Sequence, residues 1–190
     1  MKILTRTIWV LSIISLFTDI ASEMLYPVMP MYLTSIGFSV AWIGVLEGVA
    51  EATAGFSKGY FGKLSDALGI RKPFVQLGYS LSAVSKPLMA VFTSPFGILL
   101  LRMSDRLGKG IRTGARDGIL SAETTPEFKG RVFGFHRAFD TVGATLGPIA
   151  ALVFLLVYPG QYRTLFLLAF IPGVFAICST WFVKEKKGFS

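Results

Sequence analysis

The apolar residues of this chain fall into six stretches, separated by short polar segments. Each stretch is close to the roughly 20 residues that an α-helix needs to cross about 30 Å of hydrocarbon. The pattern therefore predicts an all-α membrane protein in which residues 1–190 form a single six-helix transmembrane domain. The predicted spans are residues 8–33, 42–64, 74–92, 96–116, 133–157 and 165–183.

The composition agrees with a membrane protein, because 53% of the residues are hydrophobic and only 16% are charged. The net charge is +8, but the basic residues gather on one side of the predicted topology and the opposite loops contain only Arg163. This positive-inside pattern predicts a multi-pass protein of the cytoplasmic (inner) membrane with both termini in the cytoplasm, and it argues against a nucleic-acid partner. The basic residues of the cytoplasmic side are Lys2, Arg6, Lys63, Arg71, Lys72, Lys129, Arg131, Lys184, Lys186 and Lys187.

Charged residues within the spans are concentrated in the first, second, fourth and fifth, whereas the third contains only Lys86. On a helix that advances about 100° per residue, those of the fourth span fall within roughly 120° of one another. This stripe consists of Arg102, Asp105, Arg106, Lys109, Arg112 and Arg116. A charge at the bilayer centre costs about 2.5–3.5 kcal/mol on insertion scales, so it should face protein or water. We therefore expect four polar faces to line a shared wet cavity.

Two plainer explanations of these charges remain open. Ion pairs can hold helices together without any further role. The side chains of Lys63, Arg112 and Arg116 stand near the ends of their predicted spans, where snorkelling toward the cytoplasmic boundary would explain them.

Four segments resemble motifs of the major facilitator superfamily, in its N-terminal six-helix half. The sequence GKLSDALGIRKP at residues 62–73 resembles the family's signature loop after the second helix, with Ala67 and Ile70 as departures. YPVMPMYL in the first span and GATLGP in the fifth are similar to motifs of the drug-efflux branch. Arg106 and Gly110 fit that branch's pattern of Arg, two residues, Gln, Gly, but Lys109 replaces Gln and Arg112 replaces a small residue.

The resemblance implies a secondary transporter that exports a small organic solute by proton-coupled alternating access. It also implies that the first, second, fourth and fifth helices line the cavity, and that no cofactor takes part. The family has two six-helix halves, so a second half must close the cavity. We favour a homodimer in the lipid bilayer. There are two alternatives: a heteromer with a separate C-terminal half, and a chain truncated from a longer protein.

The predicted functional residues fall into four groups. Proton coupling is assigned to Asp19, Glu23, Glu51 and Arg106. The predicted substrate cavity consists of Tyr26, Glu47, Arg102, Lys109, His136 and Asp140. The predicted gating loop contains Gly62, Asp66, Gly69, Arg71 and Lys72. The predicted helix-packing motif, expected to bend and to contact the other half, is Gly143, Gly147 and Pro148.

The sequence defines the charge of the solute and the functional class of the protein less narrowly. Guanidinium groups match carboxylate and phosphate oxygens, which favours an anionic or zwitterionic solute, although the neighbouring acids leave an amphipathic cation open. A divalent-metal transporter and a non-transporting membrane subunit are the alternative functions. No catalytic triad or phosphate-binding loop suggests an enzyme. The metal alternative would use Asp19, Glu23, Glu47, Glu51 and His136.

Overall fold

The computed structural model describes residues 3–185, and within them the backbone forms eight α-helices and no strand. The all-helical prediction is therefore confirmed for this part of the chain, whereas Lys2, Lys186 and Lys187 of the charge pattern lie outside it. The helices are α1 (Arg6–Leu25), α2 (Met29–Ser35), α3 (Val40–Leu68), α4 (Lys72–Val91), α5 (Pro95–Ala122), α6 (Lys129–Val157), α7 (Tyr162–Leu168) and α8 (Phe170–Thr180). A 3-10 helix, Pro126–Phe128, precedes α6.

Two of the predicted spans are interrupted in the structure. The first breaks between α1 and α2, and the sixth breaks between α7 and α8 at Ala169. A proline inside a helix clashes with the carbonyl group four residues before it. Pro30 stands four residues after Tyr26, and Pro172 stands four residues after Leu168. Each break therefore lies where a continuous helix would meet this clash.

Two other helices extend beyond the C-terminal ends of their predicted spans. The second span is predicted to end at residue 64, but α3 continues to Leu68, and Gly69 then ends it in the left-handed conformation with φ of 64°. The fourth span is predicted to end at residue 116, but α5 continues to Ala122. Both extensions contain an aspartate, so a search for apolar runs ends these helices too early.

The helices form two groups that touch each other sparsely. In one group α1 packs along α6, and in the other α5 packs along both α3 and α4. Helix α8 contacts α1 and α4 and so joins the groups. Apolar side chains fill opposite ends of the bundle, one cluster including Tyr32, Leu46 and Phe166 and the other including Leu11 and Tyr79.

Three segments among residues 3–185 are long and apolar enough to cross a membrane, namely Arg6–Leu25, Pro126–Val157 and Tyr162–Thr180. The helices outside these segments include α3, α4 and α5, which contain Lys58, Lys86 and Arg102 among their charged residues. The count of six spans therefore stays a prediction.

Glycines bring α5 close to both of its neighbours. A Cβ atom on Gly108 would lie 2.6 Å from the carbonyl oxygen of Gly78 and 2.9 Å from the amide nitrogen of Ser82, both on α4. A Cβ atom on Gly114 would lie 2.8 Å from the Cα atom of Gly62 on α3. The absence of side chains at these positions therefore allows the three backbones to approach closely.

Gly108→Ala is expected to lower the thermal stability of the protein, because the new methyl group meets backbone atoms of α4. Overpacking of this kind costs about 1–3 kcal/mol. Gly134→Ala on α6 is the matched control, since a Cβ atom there meets nothing within 4 Å. Thermal unfolding of both purified variants in one detergent checks the difference, and equal midpoints would contradict the close contact.

Candidate functional site

A buried network of charges joins α3, α4 and α5. Arg102 donates from Nε and Nη2 to the two carboxylate oxygens of Glu47, at 2.9 and 2.8 Å, and its Nη1 lies 3.3 Å from Asp105 Oδ2. The other oxygen of Asp105 accepts from Lys86 Nζ at 2.8 Å and from Ser82 Oγ at 2.6 Å. The side chains of Lys86, Arg102 and Asp105 are all buried. These charges therefore compensate one another inside the bundle.

A second ion pair lies one turn further along α5. Arg106 Nη2 lies 3.0 Å from Glu51 Oε1, and the Arg106 guanidinium carbon lies 5.6 Å from the centroid of the Tyr26 ring. Arg106 is buried, whereas the Glu51 side chain is 53% exposed. Glu51 is thus the accessible member of a pair whose other member is held inside the protein.

A cavity of about 480 Å³ opens beyond these pairs, and α1, α3, α5 and α6 line it. These helices correspond to the four spans that the charge pattern predicts around a wet cavity. Its lining contains five cationic and three acidic side chains. The cations are Lys58, Lys109, Arg112, Arg116 and Arg137, and the acids are Asp19, Glu23 and Asp140.

Arg112 and Arg116 do not snorkel, because both side chains are buried. Arg116 Nη1 donates to Ser15 Oγ at 3.0 Å, and its Nε and Nη2 donate to Asp117 Oδ1. The Arg112 guanidinium lies over the Tyr79 ring at 4.7 Å. The snorkelling explanation was wrong for these two residues because α5 continues past them and packs closely against its neighbours there.

His136 is buried between α1 and α6 and does not line the cavity. Its Nδ1 is hydrogen-bonded to Ser12 Oγ at 3.2 Å, and its Nε2 lies 3.5 Å from Asp140 Oδ1. The other oxygen of Asp140 lies 3.7 Å from Nη1 of Arg137. Asp140 therefore stands between a buried imidazole and the cavity.

The structure brings only some of the predicted site residues together. Of the predicted substrate-cavity residues, Lys109 and Asp140 line the cavity, Glu47 and Arg102 belong to the buried network, and Tyr26 lies beside Arg106. Of the predicted proton-coupling residues, Asp19 and Glu23 line the cavity. The other two, Glu51 and Arg106, form an ion pair with each other.

The substrate-cavity prediction omitted four cations that the structure places in the cavity wall. These are Lys58, Arg112, Arg116 and Arg137. The sequence could have predicted two of them, because Arg112 and Arg116 belong to the charged stripe of α5. They also alternate with Gly110 and Gly114, where a neighbouring helix comes close.

The predicted gating residues lie around the short turn between α3 and α4. Arg71 donates from Nε and Nη2 to Asp66 Oδ1 at 3.0 and 2.7 Å. The carboxylate of Glu185 accepts from the backbone N–H groups of Arg71 and Lys72 at 2.7 and 3.0 Å. Gly62 lies within α3 and not in a loop, because α3 ends only at Leu68. The segment after α8 is thus tied to the start of α4.

The predicted packing motif on α6 makes its contacts inside this chain. A Cβ atom on Gly143 would lie 2.7 Å from the carbonyl oxygen of Leu16, and one on Gly147 would lie 2.7 Å from the amide nitrogen of Met24. Both neighbours belong to α1. These glycines are therefore used to pack α6 on α1, and the expected contact of this segment with the other half stays a prediction. Pro148 lies within α6.

The sequence matches the Major Facilitator Superfamily over residues 11–189. The chain belongs to this family. It is therefore an integral membrane protein of a transporter family, and the family predicted from its motifs is confirmed.

Relatives within the superfamily are about twice as long as this chain. An uncharacterized MFS-type transporter of Methanocaldococcus jannaschii is 37% identical over 183 residues, 96% of this chain and 46% of the relative. The multidrug resistance protein MdtG of Salmonella arizonae is 23% identical over 148 residues, 76% of this chain and 36% of the relative. The crystal structure of the human organic anion transporter MFSD10 shares the fold, with a TM-score of 0.74 and 21% identity over 95% of this chain and 47% of that chain. The chain spans about half the length of the curated relatives it matches.

The acids of the metal alternative are not gathered into one site. Residues 3–185 contain no group of three or more His, Cys, Asp or Glu side chains that could hold a metal ion. Glu47 and Glu51 are instead paired with Arg102 and Arg106. The geometry of this superfamily member therefore does not support the metal-transport alternative.

Asp105→Asn is expected to destabilise the protein strongly, because it leaves Lys86 buried without its carboxylate partner. Removing one member of a buried pair costs about 3–5 kcal/mol. The double variant Lys86→Met, Asp105→Asn should recover part of this loss. Asp66→Asn, in an exposed pair, should cost about 0–1 kcal/mol and serves as the control. Unfolding in a denaturing detergent measures these three variants together with Lys86→Met alone, and simple additivity of the two single changes in the double variant would show that the two side chains do not act as a pair.

Proposed function

We propose that this chain is one six-helix half of a proton-coupled exporter of a small organic solute, which works by alternating access. The observation that carries the proposal is the charged cavity between α1, α3, α5 and α6. Charges in a membrane protein are expensive to bury, and they mark solute and proton pathways when they face a common cavity. Membership of a transporter family supports the same function, and the similarity to a multidrug resistance protein supports export.

The proposal includes six spans with both termini in the cytoplasm. The first turn of α1 and the residues after α8 lie at the same end of the bundle, since Thr7 Oγ1 donates to the carbonyl oxygen of Lys184 at 3.4 Å. The basic residues near this end follow the positive-inside pattern. The buried network pairs several charges of α3, α4 and α5, which lowers the free-energy cost of placing these helices in a membrane.

The Glu51–Arg106 pair is the proposed coupling element. A proton on Glu51 would remove its charge and leave buried Arg106 without its ion-pair partner, so the free energies of the two protonation states depend on how α3 and α5 are arranged. Asp19 and Glu23 line the cavity and are the further candidates for proton exchange. A carboxylate that meets water on alternate sides of the membrane as the cavity opens couples proton movement to solute movement.

Glu51→Gln is expected to reduce transport driven by a pH gradient by roughly tenfold or more, because glutamine cannot take up and release a proton and the coupling free energy between proton and solute is lost. Solute exchange without a gradient should persist. Proteoliposomes with an imposed pH gradient and a mixed metabolite and drug panel provide the measurement, and Glu127→Gln, outside the cavity, is the control. Full gradient-driven transport by Glu51→Gln, and also by Asp19→Asn, would contradict the proposed coupling. Absence of any flux by the unaltered protein would favour a non-transporting subunit.

The open side of the cavity is proposed to face a second six-helix half. The Arg137 side chain is 72% exposed there, and a cluster of charges left against lipid would be costly. Two copies of this chain related by a two-fold axis would enclose the cavity, and a different six-helix partner would do so equally well. We favour the homodimer because it needs no further component.

A cysteine at the cavity edge is expected to crosslink to the second half. The variant Ala144→Cys, Cys178→Ser places one thiol on the cavity wall, whereas the unaltered protein has its only cysteine, Cys178, exposed on α8. A bismaleimide should therefore join two chains of the variant and not of the unaltered protein, and mass measurement of the product identifies the partner. A transport-competent monomer would contradict every form of association.

A further inference from the structure

Arg112 is a buried cation that the described residues leave partly unmatched. Its side chain is 4% exposed, and its Nη1 has no hydrogen-bond partner among residues 3–185. Its ion-pair partner Asp19 lies 4.0 Å from Nη2, beyond hydrogen-bond distance. A buried guanidinium without acceptors is unfavourable. The arrangement therefore favours an acceptor that enters from the cavity which Arg112 lines.

The Tyr79 ring holds the guanidinium in a defined orientation. Arg112 Cζ lies 4.7 Å from the ring centroid, so one face of the guanidinium is covered by the aromatic ring. The N–H groups lie in the guanidinium plane and stay available at its edge. A planar fork fixed in this way suits the paired oxygens of a carboxylate or phosphate group.

Two lysines add positive charge to the same cavity. Lys109 stands nearly one turn before Arg112 on α5, and Lys58 faces the cavity from α3. Neither forms an ion pair within 4.0 Å in the described part of the chain. Both ammonium groups are thus available to an anion.

The balance of charge around the cavity is positive. Five cations and three acids line it, and Asp117 offsets Arg116 from behind. The net charge of these groups is +1 even when Asp117 is included, since there are then five cations and four acids. An anion would therefore be attracted into the cavity.

The sequence gives an independent reason to look at these positions. Lys109 and Arg112 are the two residues of α5 that depart from the motif it resembles, which has Gln and a small residue there. Neither cation is needed for the close glycine contacts of α5, which involve Gly108, Gly110 and Gly114. These two charges are thus specific additions to the cavity wall.

We propose that Arg112, with Lys109 and Lys58, forms a subsite for the carboxylate or phosphate group of an organic anion. The proposal rests on the proposed function in one respect only, namely that the bound anion is the transported solute.

Binding of three matched probes to the full chain in lipid nanodiscs tests the subsite. Phenyl phosphate and benzoate carry the two candidate anionic groups, and benzylammonium carries a cation on the same ring. Calorimetry at low ionic strength should show binding of at least one anion and weaker binding of benzylammonium. The anion that binds more tightly identifies the preferred group.

Arg112→Ala and Lys109→Gln should each weaken anion binding roughly tenfold or more, as loss of a charge-assisted hydrogen bond does. Both changes restore the residue type of the motif, so the helix should fold, and Lys109→Gln alone keeps the test valid if Arg112→Ala does not. Arg131→Gln removes the same charge from an exposed position and is the control.

Three results would overturn the subsite. They are tighter binding of benzylammonium than of either anion, absence of anion binding to the unaltered protein, and unchanged anion binding by the folded variants. Failure of the proposed function looks different. Anion binding that depends on Arg112, without any gradient-driven flux in proteoliposomes, would contradict transport and leave the subsite supported.

Discussion

Ion pairs made by buried charges on α5 determine where the neighbouring helices α3 and α4 lie. Arg102 reaches Glu47 on α3, and Asp105 reaches Lys86 on α4. Breaking one of these pairs would leave a charge in surroundings where it is poorly solvated, which is more costly than never having placed the pair there. The positions of α3 and α4 around α5 are thus fixed by electrostatics together with apolar packing. The rest of the cavity wall is built on this arrangement.

Close backbone contact makes these pairs geometrically possible. Gly108 touches α4 and Gly114 touches α3, while the arginines between and beyond them extend toward the cavity or a neighbouring helix. Glycines and cationic residues alternate along α5. The backbone can therefore pack closely against neighbouring helices at the glycines, while the long cationic side chains extend from the positions between them. A bulkier residue at either glycine would separate the helices and lengthen the ion pairs at the same time.

Much of this arrangement could be predicted from the sequence. Helical periodicity places the α5 charges on one stripe, and the uneven distribution of charge among the spans assigns α1, α3, α5 and α6 to a polar cavity. The partner of each charge could not be predicted. Arg112 and Arg116 were attributed to snorkelling because hydropathy ends the span near residue 116, whereas the backbone hydrogen bonds of α5 continue to Ala122. The contact of Gly143 with α1 was also missed, since one sequence does not reveal which helix supplies the opposite surface. The two proline breaks were missed as well, since Pro87 and Pro148 lie within continuous helices and a proline alone does not decide where a helix ends.

The sparse contact between the α1–α6 group and the α3–α4–α5 group has a mechanical consequence. Within each group the helices share extensive packing. Across the cavity, all three lining acids belong to α1 and α6, and four of the five lining cations belong to α3 and α5, with Arg137 of α6 as the fifth. Attraction between such charges weakens with salt, whereas apolar packing does not weaken in this way. The interface between the two groups is therefore less tightly packed than either group, and the charge interactions across it depend on ionic strength.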